Sequence, residues 1–477
     1  MTYSIADAEQ VLKMKRDALN LRWYPRYHLA ARAGWMNDPN GLVWFDGWYH
    51  AFYQHHPYST QWGPMHWGHA RSQDLVHWEH LSVAIAPEGP EDKDGCFSGS
   101  AVVDGDTLAL IYTGHKFHGD ASNEGNLYQV QCLATSRDGI HFERQGIVVD
   151  TPPGVHHFRD PKVWREGDSW YMIVGARQGE IGQVRLYRSA DLRKWQEEGV
   201  LAEAEAGMGF MWECPDFFTL NDKRVLMFSP QGMTAQGFKN RNLFQSGYLV
   251  GNWQPGQPFV RAGQFVEMDQ GHDFYAPQSF LTPDRRRIVI GWLDMWETPL
   301  PEQQDGWAGM LSLPRELSLS ADNRLQMRPA KEVASLRQGW FPWPVSTLNN
   351  QQISVVENAG AMEVVLNWND ADSNAEQYGL SLGDGLRVYV DAQMQRLVLE
   401  RHYPQHGLCG TRSVPLIPGR DLQLRLFIDS SSVEVFVNDG EACLSSRIYP
   451  DAGRRELRLF AWSGNASLSD GGAWQLE

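Results

Sequence analysis

Five segments of this chain begin with a polar turn and then run apolar. They are Asn37-Asp38-Pro39-Asn40-Gly41-Leu42-Val43-Trp44, Phe97-Ser98-Gly99-Ser100-Ala101-Val102-Val103, Arg159-Asp160-Pro161-Lys162-Val163-Trp164, Glu213-Cys214-Pro215-Asp216-Phe217-Phe218 and Tyr275-Ala276-Pro277-Gln278-Ser279-Phe280. Aligned on Pro39, Gly99, Pro161, Pro215 and Pro277, they step by 60, 62, 54 and 62 residues. A second apolar run follows each one: Tyr49–Gln54, Leu108–Gly114, Ser169–Ala176, Arg224–Pro230 and Arg286–Leu293. Ile, Val, Tyr, Phe and Trp fill these runs and Gly or Asp separates them, which is strand and hairpin chemistry. Three repeats add Ser-x-Asp-x-x-x-aromatic (Ser72-Asp74-Trp78, Ser136-Asp138-Phe142, Ser189-Asp191-Trp195), read as a turn entering an outer strand. Five multi-strand units at this period predict a five-bladed β-propeller. A β-sandwich with coincidental spacing is the alternative, and the agreement of successive steps weighs against it.

The repeat stops near residue 340. Met327–Leu336 reads as a connection with helical character, and Trp340-Phe341-Pro342-Trp343-Pro344 as a linker or edge segment, because Pro blocks regular pairing. Beyond it, alternation returns at Leu422, Leu424 and Leu426 and at Val433, Val435 and Val437, with a hairpin turn at Asn438-Asp439-Gly440. Leu386–Asp391, Arg396–Arg401 and Leu457–Trp462 read as further strands, and strands so spaced fit a β-sandwich. The expected fold is all-β: a helical N-terminal extension over 1–23, a propeller over 24–335, and a linker with a β-sandwich over 336–477. The sandwich is expected to serve packing or oligomerisation.

Composition narrows the partners. A formal net charge of -16, with no long basic run, argues against nucleic acid and anionic membranes. Arg285–Arg287, the longest basic run, reads as a turn before a strand. No stretch approaches the length of an apolar membrane span, and the first 20 residues carry no secretion signal. Five cysteines, an odd number without zinc spacing, suggest reduced thiols in the cytoplasm. The 20 Trp, 16 Tyr and 20 Phe suit either a β-rich core or flat surfaces for sugar rings.

The axis of a propeller is lined by the first strand of each blade. Asp38 and Asp160 hold the same aligned position and Glu213 lies one residue off it, so three distant acids should meet at one mouth. Hydrolysis of a glycoside needs one carboxyl to protonate the leaving oxygen and a second to attack or to activate water. Asp38, between Asn37 and Asn40, has amides to keep it ionised, as a nucleophile requires; Asn-Asp-Pro equally makes an Asx turn. Glu213, beside Trp212 and Cys214, is expected to have its pKa raised by burial and by the two aspartates, which suits an acid/base; a surface turn is the alternative. Asp160, expected to pair with Arg159 and stay ionised, suits accepting hydrogen bonds from sugar hydroxyls; a structural ion pair is the alternative. His55, His56, His66 and His69 lack the acids of a metal site, Ser98-Gly99-Ser100 is not a serine-nucleophile elbow, and Cys214 reads as a packing residue. No cofactor and no metal is expected.

Together, Trp35–Gly41, Gln54, Trp62, Phe97-Ser98, Arg159-Asp160-Pro161 and Trp212–Asp216 resemble glycoside hydrolase family 32, the invertase and levanase family. Within it the chain most resembles intracellular bacterial sucrose and sucrose-6-phosphate hydrolases, from about Tyr24 to the C-terminus. The resemblance implies a five-bladed propeller with a C-terminal sandwich, acting on a small sugar by retaining double displacement. It implies Asp38 as nucleophile, Glu213 as acid/base and Asp160 as transition-state stabiliser. Asn37, Asn40, Gln54, Trp62, Phe97, Ser98 and Arg159, with Tyr275 and Trp296 as further lining residues, are the expected substrate-binding set. A fructosyltransferase or fructan hydrolase of the same fold, or a non-catalytic sugar-binding propeller, are the rival readings. Sucrose against sucrose 6-phosphate stays open, as does the oligomeric state, a homodimer being one option.

Overall fold

The computed structural model describes residues 3–344 and 346–477; Met1, Thr2 and Val345, in the expected N-terminal extension and linker, lie outside them. Five antiparallel sheets of the first 329 residues stand around one axis, and their innermost strands are Gly34–Phe45, Gly95–Asp104, His157–Glu166, Met211–Leu220 and Tyr275–Leu281. Each inner strand opens one of the five predicted repeats, so the propeller is borne out. The second strands, such as Trp48–His56 and Ser169–Gln178, are almost wholly buried, while outer strands such as Glu143–Val149 alternate with solvent. Between successive blades lies a separate apolar layer. Phe52 and Trp67 meet Leu110 and Val130, Ile111 and Leu133 meet Val163 and Met172, and Ile173 and Val184 meet Leu226 and Phe228. Met227 and Tyr248 meet Val289 and Leu317, and Phe280 and Ile290 meet Leu42 and Ala51. Burial of these faces, at about 25 cal/mol per Å², drives the ring together. A two-residue strand, Trp307–Ala308, pairs in parallel with Gly34 and Trp35 and ties the last blade to the first.

The Ser-x-Asp repeats have a local cause. In each, the Ser hydroxyl donates to the Asp carboxylate, which accepts backbone N–H groups two and three residues on. The residue after the Asp (Leu75, Gly139 or Leu192) takes a positive φ of 65–71°. This Asx-type turn swings the chain into the outer strand.

The N-terminal helix Ile5–Arg16 is capped by Ser4, whose Oγ accepts from Asp7 N at 3.0 Å, and it seats Ala8 and Leu12 against Ala33 and Val83. Met327 to Pro329, expected in a connection, belong to the outer strand Leu325–Pro329 of blade 5; only Lys331–Leu336 is a 3-10 turn. Arg337–Pro342 is a strand paired on one side with the last strand of the chain, so its Pro lies on a free edge.

The last strand, Leu457–Leu476, is 20 residues long and serves both layers of the sandwich. Its first third pairs with Gln377–Leu382 and its last part with Met362–Asn369, and it turns between them at Ser463 and Gly464, where φ is positive. Leu380, Val388 and Leu399 from one layer pack on Leu366, Leu424 and Val435 from the other. The sandwich docks on the propeller through buried charges. Arg447 meets Asp294 and Glu302, Arg315 meets Asp269 and Glu434, and Arg401 meets Asp273. No helix among the described residues is long and apolar enough to cross a membrane.

Candidate active site

Every inner strand carries a register shift at the Pro-aligned position: between Met36 and Pro39, Phe97 and Gly99, Glu213 and Asp216, Tyr275 and Gln278, and, opposite Ile173 and Gly175, at Arg159 to Lys162. A bulge lets two neighbouring side chains turn toward the same side, which a flat strand forbids. The residues just before the aligned position are Asp38, Ser98, Asp160, Cys214 and Ala276. Three of them, Asp160 (φ 70°), Cys214 (47°) and Ala276 (51°), are left-handed. The residues one step earlier are Asn37, Phe97, Arg159, Glu213 and Tyr275. The site is therefore two stacked rings, each drawing one residue from every blade.

In the first ring, Asp38 Oδ2 accepts from Ser98 Oγ at 2.6 Å and lies 3.4 Å from Cys214 Sγ. That sulfur is 3.5 Å from Asp160 Oδ2, which also accepts from Cys214 N at 3.0 Å. One S–H can donate to only one carboxylate at a time, so Cys214 does more than pack: it bridges the two acids. Asn37 Nδ2 donates to Asp38 Oδ1 at 3.1 Å, and Asn37 Oδ1 accepts from the Trp35 indole N–H at 2.7 Å. Burial, then the charge of Glu213, pushes Asp38 up to about 6 against the hydrogen bonds of Ser98, Asn37 and Cys214. The same two causes push Asp160 up to about 7. Its backbone N–H donates to Thr113 Oγ1 at 3.0 Å, which supports the unusual φ.

The second ring corrects the expected pairing of Arg159. Its Nε donates to Glu213 Oε2 at 2.9 Å, across to the next blade, rather than to its neighbour Asp160. Asp160 thus lacks the direct partner that was to keep it ionised, and Glu213 gains a counter-ion against its burial. Glu213 Oε1 accepts from Tyr275 OH at 2.6 Å and Gln231 Nε2 at 2.8 Å.

Aromatic rings frame the mouth. Trp62 is 46% exposed and stands edge-on to Phe97 at 5.9 Å, and Phe97 stacks on His115 at 3.9 Å. Trp296 stacks near Trp35 at 5.9 Å. Gln54 is buried, its amide donating to Cys96 O at 2.9 Å. Asn40 does not reach the mouth. It sits fully buried one ring deeper, level with Ser100, Lys162, Asp216 and Gln278, and neither of its amide atoms has a partner among the described residues. In that floor ring Lys162 pairs with Asp216 at 3.5 Å, and Asp216 Oδ2 accepts from Ser279 N and Oγ. Among the described residues no cluster of His, Cys, Asp or Glu is arranged to hold a metal.

Thr113, Gln129, His157 and Gln231 join this network without any local motif. Gln231 stands at the end of a second strand opposite Met211, a placement that only the blade alignment reveals. The loop 232–246 that follows it brings Phe244 to 6.0 Å from Tyr275. Its far side is held by the sandwich: Arg412 donates to Asn242 Oδ1 at 2.9 and 2.7 Å, and Arg396 covers Phe238 at 3.9 Å. Arg412→Ala should loosen this wall and raise KM about tenfold, worth some 1.4 kcal/mol, with kcat little changed. A KM equal to wild type would mean that the loop stands without the sandwich.

Ser98→Ala removes a donor to ionised Asp38, so the Asp38 pKa should rise further. In its expected role as nucleophile Asp38 must be ionised, and activity is lost as pH falls through its pKa. The acid limb of kcat/KM, expected near pH 6 from Asp38, should therefore move up by about one unit, the worth of one charge-assisted hydrogen bond. A limb that stays in place would assign it to another group.

Known proteins resemble the chain over its whole length. The Glycosyl hydrolases family 32 N-terminal domain matches residues 28–329, and the Glycosyl hydrolases family 32 C terminal domain matches 332–475. The sucrose-6-phosphate hydrolase of Escherichia coli is 56% identical over 470 residues, 98% of each chain. The raffinose invertase of Escherichia coli is 56% identical over 455 residues, 95% of each. Among solved structures, a β-fructofuranosidase mutant from Bombyx mori in complex with sucrose superposes with a TM-score of 0.87 at 36% identity, covering 99% of this chain and 98% of that one.

Proposed function

The chain belongs to glycosyl hydrolase family 32, and from that premise we propose that it is a β-fructofuranosidase acting on sucrose and on sucrose substituted at glucose O6. The observation that carries the reading is the pair of rings, which gathers Asp38, Asp160 and Glu213 from three blades around one aromatic-framed mouth. Support for the substrate comes from the relatives. Sucrose 6-phosphate and raffinose, in the names of the two Escherichia coli proteins, are both sucrose extended at glucose O6, by phosphate and by galactosyl. A leaving-group side that tolerates either must be open beyond that oxygen.

The proposed reaction is a double displacement. Glu213 gives its proton to the glycosidic oxygen as the C2–O bond breaks and an Asp38 oxygen bonds to C2. Glucose, or its 6-substituted form, departs. Glu213 then takes a proton from water, the water oxygen bonds to C2, the ester to Asp38 breaks and fructose leaves with its configuration kept. Asp160 accepts hydrogen bonds from fructose hydroxyls as positive charge grows on the ring. Donors at 2.6 to 2.9 Å around Glu213 fix its orientation between the two steps. The cysteine usage favours placing this reaction in the cytoplasm.

Comparing kcat/KM on sucrose, sucrose 6-phosphate and raffinose tests the substrate, and proton NMR of the first-formed fructose tests the stereochemistry. Retention requires β-fructofuranose before mutarotation; initial α-anomer would show that Asp38 activates water instead. Absence of fructose release from all three sugars would remove the reading altogether.

A further inference from the structure

Arg159, whose Nε and Nη2 both reach Glu213 Oε2 at 2.9 Å, is itself held from behind. Its Nη1 donates to His157 Nδ1 at 2.8 Å and more weakly to Gln129 Oε1 at 3.3 Å. A guanidinium has five N–H donors and no acceptor. His157 Nδ1 must therefore present its lone pair, and the ring proton must sit on Nε2. That nitrogen contacts Glu124 Oε1, so the Nε2–H donates to a carboxylate and the neutral tautomer is fixed from both ends. Glu124 lies in the short 3-10 turn Glu124–Asn126 of the rim loop and also meets Arg177 Nη1 at 3.3 Å. An unbroken polar chain thus runs from Glu213 through Arg159, His157 and Glu124 to Arg177.

We propose that His157 is a positioning residue for the acid/base, holding the Arg159 guanidinium on Glu213 and so setting how readily Glu213 gives up its proton. The inference rests on the reading of Glu213 as the acid/base. The groups facing His157 are Arg159 on its own strand, Glu124 and the neighbouring His156 from the rim, Arg177 from the adjoining strand and His115 from blade 2. Those facing Glu213 are Arg159, Tyr275, Gln231, Asp38 and Asp160. Burial first, then Arg159, lowers the His157 pKa, in keeping with a ring that must accept rather than donate at Nδ1. A protonated His157 would turn an N–H against the guanidinium and push it off Glu213.

Two substitutions separate this role from simple packing. His157→Phe keeps the ring volume but removes the acceptor. His157→Asn keeps an acceptor near the position of Nδ1 and gives up the Glu124 contact. With Arg159 loosened, the Glu213 carboxylate loses the cation that faces it, which favours the form that keeps its proton. In His157→Phe the alkaline limb of kcat/KM on sucrose should move up by about one pH unit, a tenfold change in the ionisation equilibrium. In His157→Asn it should stay within about a third of that shift. Should His157→Phe fail to fold, Glu124→Gln is expected to move the same limb in the same direction by a smaller amount. Equal limbs in the Phe and Asn variants, or an unmoved limb in the Phe and Glu124→Gln variants, overturn the proposal. Glu213→Ala with added sodium azide, assayed on an aryl β-fructofuranoside whose leaving group departs without a proton, separates the two readings. Recovery of turnover with formation of fructosyl azide upholds Glu213 as acid/base, so that an unmoved limb then counts against His157 alone. No recovery removes the acid/base reading and this inference with it.

Discussion

Asp38→Asn is expected to lower kcat on sucrose by roughly 10⁴-fold or more, the scale on which loss of a nucleophile is felt, and at the same time to make the protein more stable at pH 7. The two effects have one source. Asp38 is buried beside Glu213 and Asp160, and its carboxyl is pushed from 3.8 to about 6. A carboxyl raised in the folded state costs stability wherever it is ionised in the unfolded chain, that is, above pH 4. The penalty reaches its full size above pH 6, on the order of 2–3 kcal/mol for a shift of this size. Asparagine has the same shape but carries no charge to bury: its carbonyl, at the Oδ1 position, still accepts from Asn37, while its NH2, at the Oδ2 position, donates to a Ser98 hydroxyl that turns its own proton away. Its NH2 faces Cys214 Sγ, a weak acceptor. Thermal unfolding at pH 7 and at pH 4 checks the point: the gain should be present at the higher pH and shrink at the lower. A variant that hydrolyses sucrose at the wild-type rate would show that another group attacks C2, and one that unfolds earlier at pH 7 would show that the carboxylate is not under strain.

Repeat period and strand register decide which parts of the site are legible in the sequence. Periodicity is a long-range signal, and steps of 54 to 62 residues exposed the blades and the shared position of Asp38 and Asp160 before any contact was known. Strand alternation likewise announced Leu386–Asp391 and Leu422–Ile428 in the sandwich. Pairing of charges was not legible. Arg159 and Asp160 are neighbours in the chain, but the bulge and the φ of 70° at Asp160 turn one toward blade 4 and the other toward Cys214. Asn40 looked like a partner of Asp38 because it is two residues away, and the strand places it one ring below. Gln231, Thr113 and His157 come from strands and strand ends with no motif; only the register of each blade carries them to the axis. The 20-residue last strand was visible only as its first six residues, because its bend at Ser463 and Gly464 breaks the alternation. Arg412 is remote in sequence from every catalytic motif, and its hold on the loop at Asn242 depends on how the two domains dock.

Docking of the domains also sets the second large effect: Arg447→Met should cost about 3–5 kcal/mol, the usual penalty for stranding a buried charge. Arg447 is 1% exposed and its Nη1 serves Asp294 at 2.9 Å and Glu302 at 2.9 Å, while Nε and Nη2 reach Ser431 O and Oγ. Asp294 and Glu302 are themselves fully buried, with Glu302 also accepting from Tyr449 OH at 2.7 Å. Methionine fills much of the same space but leaves two carboxylates facing each other without a cation. The loss should therefore come from those carboxylates and not from the missing pair as such. Urea unfolding tests this in two steps. The single variant should show a lower midpoint, with the deficit shrinking as pH falls, because burial already pushes the Asp294 pKa up and a proton there relieves the repulsion. Adding Asp294→Asn and Glu302→Gln to Arg447→Met should then recover most of the midpoint at neutral pH. A triple variant no better than the single one would place the stabilisation in the ion pairs themselves. Asp294 lies two residues before Trp296, which stacks by Trp35 at the mouth, so the single variant should also bind sucrose more weakly under conditions where it remains folded. An unchanged KM in that variant would show that the buried charges hold the two domains together without shaping the mouth.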